Sequence, residues 1–394
     1  MTTVNDRSLS GNDISVYLSP QTVKGAIDAS PVFDPFRRTE GKPKQEITYV
    51  QSSEVKSNRQ GRTQVQDAST FTGELAFELS QDTAKYLDGM LHGASVDNSV
   101  TSVITIGTTA TGFVSSNTDF ANLSVGDWFF ISGFADSDND GYYKIKTYTD
   151  NQNIDTEVAP ATIEAEGATV SFESMKTSSG SDQTYYTTQT RTVDKSSAGD
   201  IDYRTFFDAV INTGSIEVGE TGIVTGSFAL AIEALNPGEL ILAGQTDNAT
   251  DASDPVSSIN NISAIYVDGV NSNCGVKSFG LEFNNNYQAD RSAACNGERY
   301  AFGDVEATGA LVTRAVISNT FEWRDRFEAS TPIALACIFT WSDGRWLILE
   351  IMRAKLTEHN MPDGSNVISS NEMSYGAEED PVTGTTVQMF RNFG

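Results

Sequence analysis

Basic residues are scarce in this 394-residue chain. It has 26 Lys and Arg against 53 Asp and Glu, a formal net charge of −27. That deficit argues against a conventional DNA- or RNA-binding protein, which needs a cationic surface to displace counterions from phosphates. It argues equally against docking on an anionic membrane. Cysteine is rarer still. Cys274, Cys295 and Cys337 form neither a disulfide framework nor a CxxC pair and read as three reduced thiols in strands or loops. The two histidines, His92 and His359, sit in no metal or nucleophile motif. No GxSxG, P-loop or GxGxxG occurs. With 53 acids, close carboxylate pairs arise by chance, so counting does not argue for a glycosidase pair. No enzyme and no cofactor is expected.

Long apolar runs are also missing. The longest, Pro332–Phe339 and Trp346–Met352, are parted by the polar turn Ser342-Asp343-Gly344, well short of the ~18–20 residues that span a bilayer. The start, Met1-Thr2-Thr3-Val4-Asn5-Asp6, sets no basic region before a hydrophobic stretch. The expectation is therefore no ordinary signal peptide and synthesis in the cytoplasm.

What is present is enough for packed cores: 38% hydrophobic and 10% aromatic residues, with only 10 prolines, which argues against global disorder. The length suggests two or three domains at about 150 residues each. The patterning is mostly β. In Glu74–Leu79, Ser227–Glu233 and Ser278–Phe283, every second residue is large and apolar and the others are small or acidic. Period two puts the first set on a core and the second toward water. One short helix is expected over Gln81–Leu91, with Ser80 as N-cap, Gly93 near its end and Ala84, Leu87 and Leu91 facing the core. Tyr203–Ile211 reads either as a helix or as a strand.

Residues 101–174 read as a separate small β unit, a sandwich or barrel. Its candidate strands are Val103–Ile106, Trp128–Ser132, Tyr142–Thr147, Ile154–Val158 and Ala168–Phe172. The unit lies between the helix and further strands of the main domain, so it looks inserted. The domain expectation is thus 1–100 and 175–394 for the main domain and 101–174 for the insertion. Lys176–Ser181 reads as a linker and Gln245–Ser258 as an exposed loop. There is a weak echo: Phe71-Thr72-Gly73, Val224-Thr225-Gly226 and Ala307-Thr308-Gly309 each open an alternating run. Coincidence in a Thr/Gly-rich chain and reuse of related strands both account for it.

Three charged clusters stand out. Asp136-Ser137-Asp138-Asn139-Asp140-Gly141 matches the first half of a calcium loop, but its twelfth position is Thr147, no helix flanks it, and Asn-Asp-Gly is also a hairpin turn. A turn is the reading adopted, with Asp136, Asp138 and Asp140 as the alternative metal site. Glu378-Glu379-Asp380-Pro381 is an acidic turn, either solvated or in contact with a basic patch of a neighbouring copy. Arg37-Arg38, followed by Lys42 and Lys44, either pairs with acids of another subunit or is solvated.

The order of these features resembles the major tail tube protein of long-tailed, siphophage-type bacteriophages. The resemblance rests on Ser52-Ser53-Glu54-Val55, Arg59, Arg62, Thr72-Gly73-Glu74-Leu75 and Tyr86–Leu91, then on Phe206–Asn212 and Val224–Phe228. It closes with Trp346–Leu356, Gly364-Ser365-Asn366 and Gly384-Thr385-Thr386-Val387. It implies a β-sandwich subunit with one helix, six subunits closing into a ring, and rings stacking into a hollow tube in the virion tail. The inserted unit would decorate the outside. It further implies a tape measure protein in the lumen, tail terminator and distal tail proteins at the tube ends, and passage of double-stranded DNA without specific binding or a membrane partner. An open sheet edge invites pairing with another copy, and a closing heterologous contact makes a ring. The face opposite the core would then line the channel, with Glu74, Ala76, Glu78, Ser227, Ala229, Ala231, Glu233, Ser278, Gly280 and Glu282, joined by Arg314 if its run keeps phase. The alternative function is an acidic β-sandwich adhesin or a carbohydrate- or calcium-binding module.

Overall fold

Alternation becomes structure most plainly in Gln64–Glu78. Phe71, Leu75 and Phe77 are buried there, whereas Glu74 is exposed and Glu78 half-buried. A computed structural model of the chain describes residues 13–53, 63–166, 169–194, 199–238, 241–250, 252–272, 275–290, 299–362 and 369–393. Cys274, Cys295, Arg59, Arg62 and the Gly364-Ser365-Asn366 stretch lie outside those residues.

Twelve of the described strands carry the main body, and they repeat one connectivity twice. The first unit contains β1 (Ile14–Pro20), β2 (Pro43–Gln51), β3 (Gln64–Glu78), the short helices α1 (Gln81–Ala84) and α2 (Leu87–Leu91), β4 (Tyr186–Asp194), β5 (Gly199–Val218) and β6 (Thr225–Leu235). The second contains β7 (Ile262–Val267), β8 (Val276–Asn284), β9 (Glu306–Arg314), α3 (Ile317–Glu328), β10 (Ile333–Thr340), β11 (Trp346–Asn360) and β12 (Ser370–Ala377). Neighbours are antiparallel throughout. The order is β1-β4-β5-β6-β3-β2 in one unit and β7-β10-β11-β12-β9-β8 in the other.

The registers agree in detail. Pro43 lies opposite Gly73 and Arg38 opposite Phe77 in the first unit. Leu281 lies opposite Gly309 and Val276 opposite Thr313 in the second. Thr72-Gly73 and Thr308-Gly309 therefore hold matching places. Thr225-Gly226 does not, because it lies in β6, across the ladder from Glu78 and Phe77. The fifth strand of each unit slips register against the sixth at the same point, between Ile211 and Thr213 and between Leu356 and Glu358. A helix follows the third strand both times. Met90 of α2 fills the space over Gly214, where a Cβ would come within 2.3 Å of its sulfur. Phe327 of α3 packs at the corresponding position, His359, with ring centroids 6.5 Å apart.

The units are fused edge to edge. The C-terminal half of β5, from Thr213 to Val218, pairs with β8 from Asn284 to Phe279. The result is one continuous layer, β2-β3-β6-β5-β8-β9-β12-β11, over a shared core that includes Leu75, Phe228, Ile216, Leu281, Leu311 and Leu349.

The stretch expected as an inserted unit forms a closed barrel of six strands: Val100–Thr108, Gly112–Ser115, Trp128–Ser132, Gly141–Asp150, Asn153–Thr156 and Thr169–Glu173. It has its own core of Phe113, Phe120, Phe129, Tyr143 and Phe172. The barrel docks on the side of β10 and β11 away from the main core, where Trp128 packs with Ile338, Trp346, Ile348 and Phe390. At the centre of that contact Glu350, 1% exposed, accepts hydrogen bonds from the Trp128 indole (2.9 Å) and the Lys144 ammonium (2.6 Å). Burial lifts the Glu350 carboxyl above its ordinary range, and Lys144 and the indole oppose that lift.

Three local expectations are corrected. The helix over Gln81–Leu91 is two pieces, because the Tyr86 N–H bonds to the Thr83 carbonyl at 3.2 Å and tightens the chain between them. Ser80 does cap it, in a capping box with Thr83. Lys176–Ser181 is no linker at its start, since Met175–Ser178 is a strand paired with Val387–Arg391. Helix α3 was not expected; its Trp323 and Phe327, four residues apart, pack on the main core. Tyr203–Ile211 resolves as strand, within β5.

His92 ends α2 in the left-handed conformation (φ 50°). It is buried beside Tyr287, and burial pushes its pKa down from 6.5 to about 4. The folded chain therefore refuses a proton that the unfolded chain takes up between pH 6.5 and about 4. Stability should fall as pH drops through that window, by on the order of 3 kcal/mol. His92→Asn, which tolerates the left-handed backbone, should flatten this slope in denaturant titrations. An unchanged slope would mean that other groups cause the acid loss.

Candidate functional site

The continuous layer presents one face to the core and the other to solvent. Because facing residues share a side across a ladder, the outward rows can be followed from strand to strand. One row runs Glu74, Ala229, Thr213, Asn284, Glu306. The next runs Ala76, Ser227, Ser215, Glu282, Thr308, Gly376, Lys355. A third runs Glu78, Thr225, Glu217, Gly280, Ala310, Ser374, Glu358. Small side chains and glutamates dominate all three.

The structure brings Glu74, Glu78, Ser227, Ala229, Glu233, Ser278 and Glu282 together on this outward face. Arg314 keeps the phase of β9 and joins them, opposite Ser370. Glu233 differs from the rest. It is tied to Lys24 at 2.7 Å and accepts from the Tyr300 N–H at 3.1 Å, and its side chain is only 11% exposed. Glu217, Glu306, Glu358 and Glu372 lie on the same face and were not singled out in the sequence. The signal was there in the alternation Thr213, Ser215, Glu217, which the ambiguity of the preceding segment obscured. Lys355 also points this way, but it is neutralised by Glu378 at 2.8 Å.

Around Gly280, Ala310 and Gly376 the face dips into an open depression of about 580 Å³. Its floor is held by the Tyr375 hydroxyl, which donates to the Gly280 carbonyl at 2.6 Å. Gly309 has to be glycine for this to happen, since a Cβ there would sit 2.0 Å from that same carbonyl oxygen. The wall is thus smooth by construction.

The other candidate residues are occupied within the chain. The Arg37 guanidinium donates to the Ser253 carbonyl and that of Arg38 to the Ile14 carbonyl. Glu378 is paired with Arg353 (3.1 Å) and Lys355, whose charges and hydrogen bonds hold it below the usual carboxylate range. Asp380 caps its own turn, accepting from the N–H groups of Val382 and Thr383 at 3.1 and 2.9 Å. Glu379 alone of that cluster is exposed. In the calcium-like loop, Asp136 accepts from Thr162 and Asp140 from the N–H groups of Gly133 and Phe134. Asp136 also accepts from the Asp138 N–H at 3.1 Å, a bond within the turn, and among the described residues no group of three or more His, Cys, Asp or Glu is placed to hold a metal. Asp247, in the expected loop Gln245–Ser258, is gripped by both terminal nitrogens of Arg191 at 2.6 and 2.7 Å.

The chain is thus a mostly β protein whose repeated antiparallel layer covers a shared core and leaves one small and acidic face to water. The model of the phage tail tube protein family matches residues 11–370, and the chain belongs to that family. It is a structural component of a phage virion tail that assembles into a tube with other tail proteins. No curated protein matches it. No helix among the described residues is long and apolar enough to cross a membrane.

Among the described residues, no side-chain hydrogen bond or ion pair engages Glu74 or Glu282 on the open face. Glu74→Lys or Glu282→Lys should therefore leave the stability of the unassembled chain within about 0.5 kcal/mol. Glu233→Lys should cost more, because it sets a second cation against Lys24. Denaturant midpoints check this ordering, and equal losses at all three positions would contradict it.

Proposed function

We propose that copies of this chain close into rings of six tube units, and that the rings stack into the hollow tail tube of a siphophage-type virion. The face carrying Glu74, Glu78, Glu217 and Glu282 turns inward and lines the channel. The barrel at 100–173 sits on the outside, on the far side of the core from that face. The tape measure protein fills the lumen until ejection, and terminator and distal tail proteins close the ends. Assembly takes place in the cytoplasm of the host bacterium. The observation that carries this reading is the single continuous sheet face, glutamate-studded and otherwise small, in a chain of the tail tube family.

Like charge repels phosphates and leaves few cations to trap a moving duplex. The cations on this face include Lys355, paired with Glu378, Lys44, paired with Glu46, and Arg314 at its margin. Neighbouring subunits of net charge −27 must also tolerate one another, which favours assembly at higher ionic strength.

Electron microscopy of the purified protein should show rings or tubes, in greater yield as salt rises. Phage carrying Glu74→Lys, Glu78→Lys and Glu282→Lys together should assemble tails and eject DNA more slowly. Ejection at an unchanged rate from intact particles would remove the channel-lining role, and equal yields at low and high salt would remove the charge argument.

A further inference from the structure

Inside the chain, β5 is extended by β8. Its last pair with β4 before the joint places Ala209 opposite Tyr186; beyond that point the same edge receives β8, from Thr213 opposite Asn284 onward. β11 is built to the same plan and lacks the neighbour. Its pairing with β10 ends at Ala354 opposite Ile333. Beyond that, Glu358–Asn360 pair with β12 on one side and with no described strand on the other. β2 matches β8 and is likewise half-used: it pairs with β3, and no described strand lies along its outer edge. The chain thus carries one socket and one plug of the kind that it has already joined once.

We propose that β2 of a second copy adds to the free edge of β11, in the register of the internal joint between β5 and β8. The matching positions fix that register. Thr213 and Glu358 each follow the register slip of their strand. Asn284 lies three residues beyond Leu281, which faces Gly309, and Glu46 lies three beyond Pro43, which faces Gly73. Glu358 therefore faces Glu46 of the second copy, and Asn360 faces its Lys44. Lys44 lies on the outward side, opposite Thr72, and is more than half exposed. Already paired with its own Glu46 at 2.5 Å, it stands across the joint between that carboxylate and Glu358 and Glu372 and offsets the repulsion among them. The backbone groups of both edges become paired, which removes the template for irregular aggregation.

The contact is head to tail, so repetition with a closing rotation gives a ring. Each chain fills two positions of that ring. If the ring has six tube units, as in the reading proposed above on which this corollary rests, three chains close it instead of the six expected from one unit per chain. Its mass is then three times 42.5 kDa, about 128 kDa, rather than about 255 kDa.

The test uses full-length protein with Cys274→Ser and Cys295→Ser, keeping the fully buried Cys337. Lys44→Cys with Asn360→Cys, mildly oxidised after assembly, should give a covalent ladder ending at three chains, and neither single variant should give it. Ser215→Cys with Glu282→Cys, the equivalent pair inside the chain, should close without changing the chain count. Tubes that form without the ladder, while the internal pair closes, would overturn the joint. A ladder reaching six would overturn the count of chains. If the parent protein forms neither rings nor tubes by microscopy, the tube reading fails and the joint with it.

Discussion

Backbone hydrogen bonding at strand edges is the constraint on which this molecule turns. A buried or sheet-forming N–H or C=O left without a partner is costly, and an antiparallel layer always has two outer edges unless it closes on itself. The inserted barrel solves the problem by closure within 74 or so residues of chain, as small barrels do. The main layer cannot. It grows instead by repetition: one unit ends in an edge that the next unit begins to fill, and the fusion of β5 to β8 shows the solution once within a single polypeptide.

From that constraint the surface chemistry follows. The outward face carries little bulk around Gly280, Ala310 and Gly376, where Tyr375 braces the floor from below, as a channel lining of the kind proposed would need. Glutamates set among them keep the face hydrated. The core side uses the opposite vocabulary, with Phe77 and Phe228 packed at 4.6 Å between ring centroids and Leu75 and Leu311 fully buried. One face of these strands thus serves stability, and the proposal above assigns the other to passage.

Much of this was legible in the residues. Alternation in Glu74–Leu79, Ser227–Glu233 and Ser278–Phe283 announced which side chains would turn outward, because period two leaves little choice. Five of the six barrel strands were readable for the same reason, and Gly112–Ser115 was not. Tandem organisation was not, since only Thr72-Gly73 and Thr308-Gly309 survive as a shared trace, and the similar Thr225-Gly226 pointed to the wrong strand. The units match in hydrogen-bond register, which many sequences satisfy. Lys176-Thr177-Ser178 looked like a linker because its polar side chains say nothing about a backbone already paired to Val387–Arg391. Helix α3 escaped notice because its apolar residues, Ile317, Phe321, Trp323 and Phe327, form no single helical stripe in the sequence; Trp323 and Phe327 pack on the core.

The central claim is that the outer edges of β2 and β11 are completed by other copies of the chain. Amide hydrogen exchange, followed residue by residue in the unassembled protein and in assembled tubes, tests it most directly. The amides of Lys44–Glu46 and Glu358–Asn360 that point outward should exchange quickly in the first state and become strongly protected in the second, while the internal joint at Thr213–Val218 stays protected in both. Unchanged exchange at the two outer edges on assembly would contradict the account.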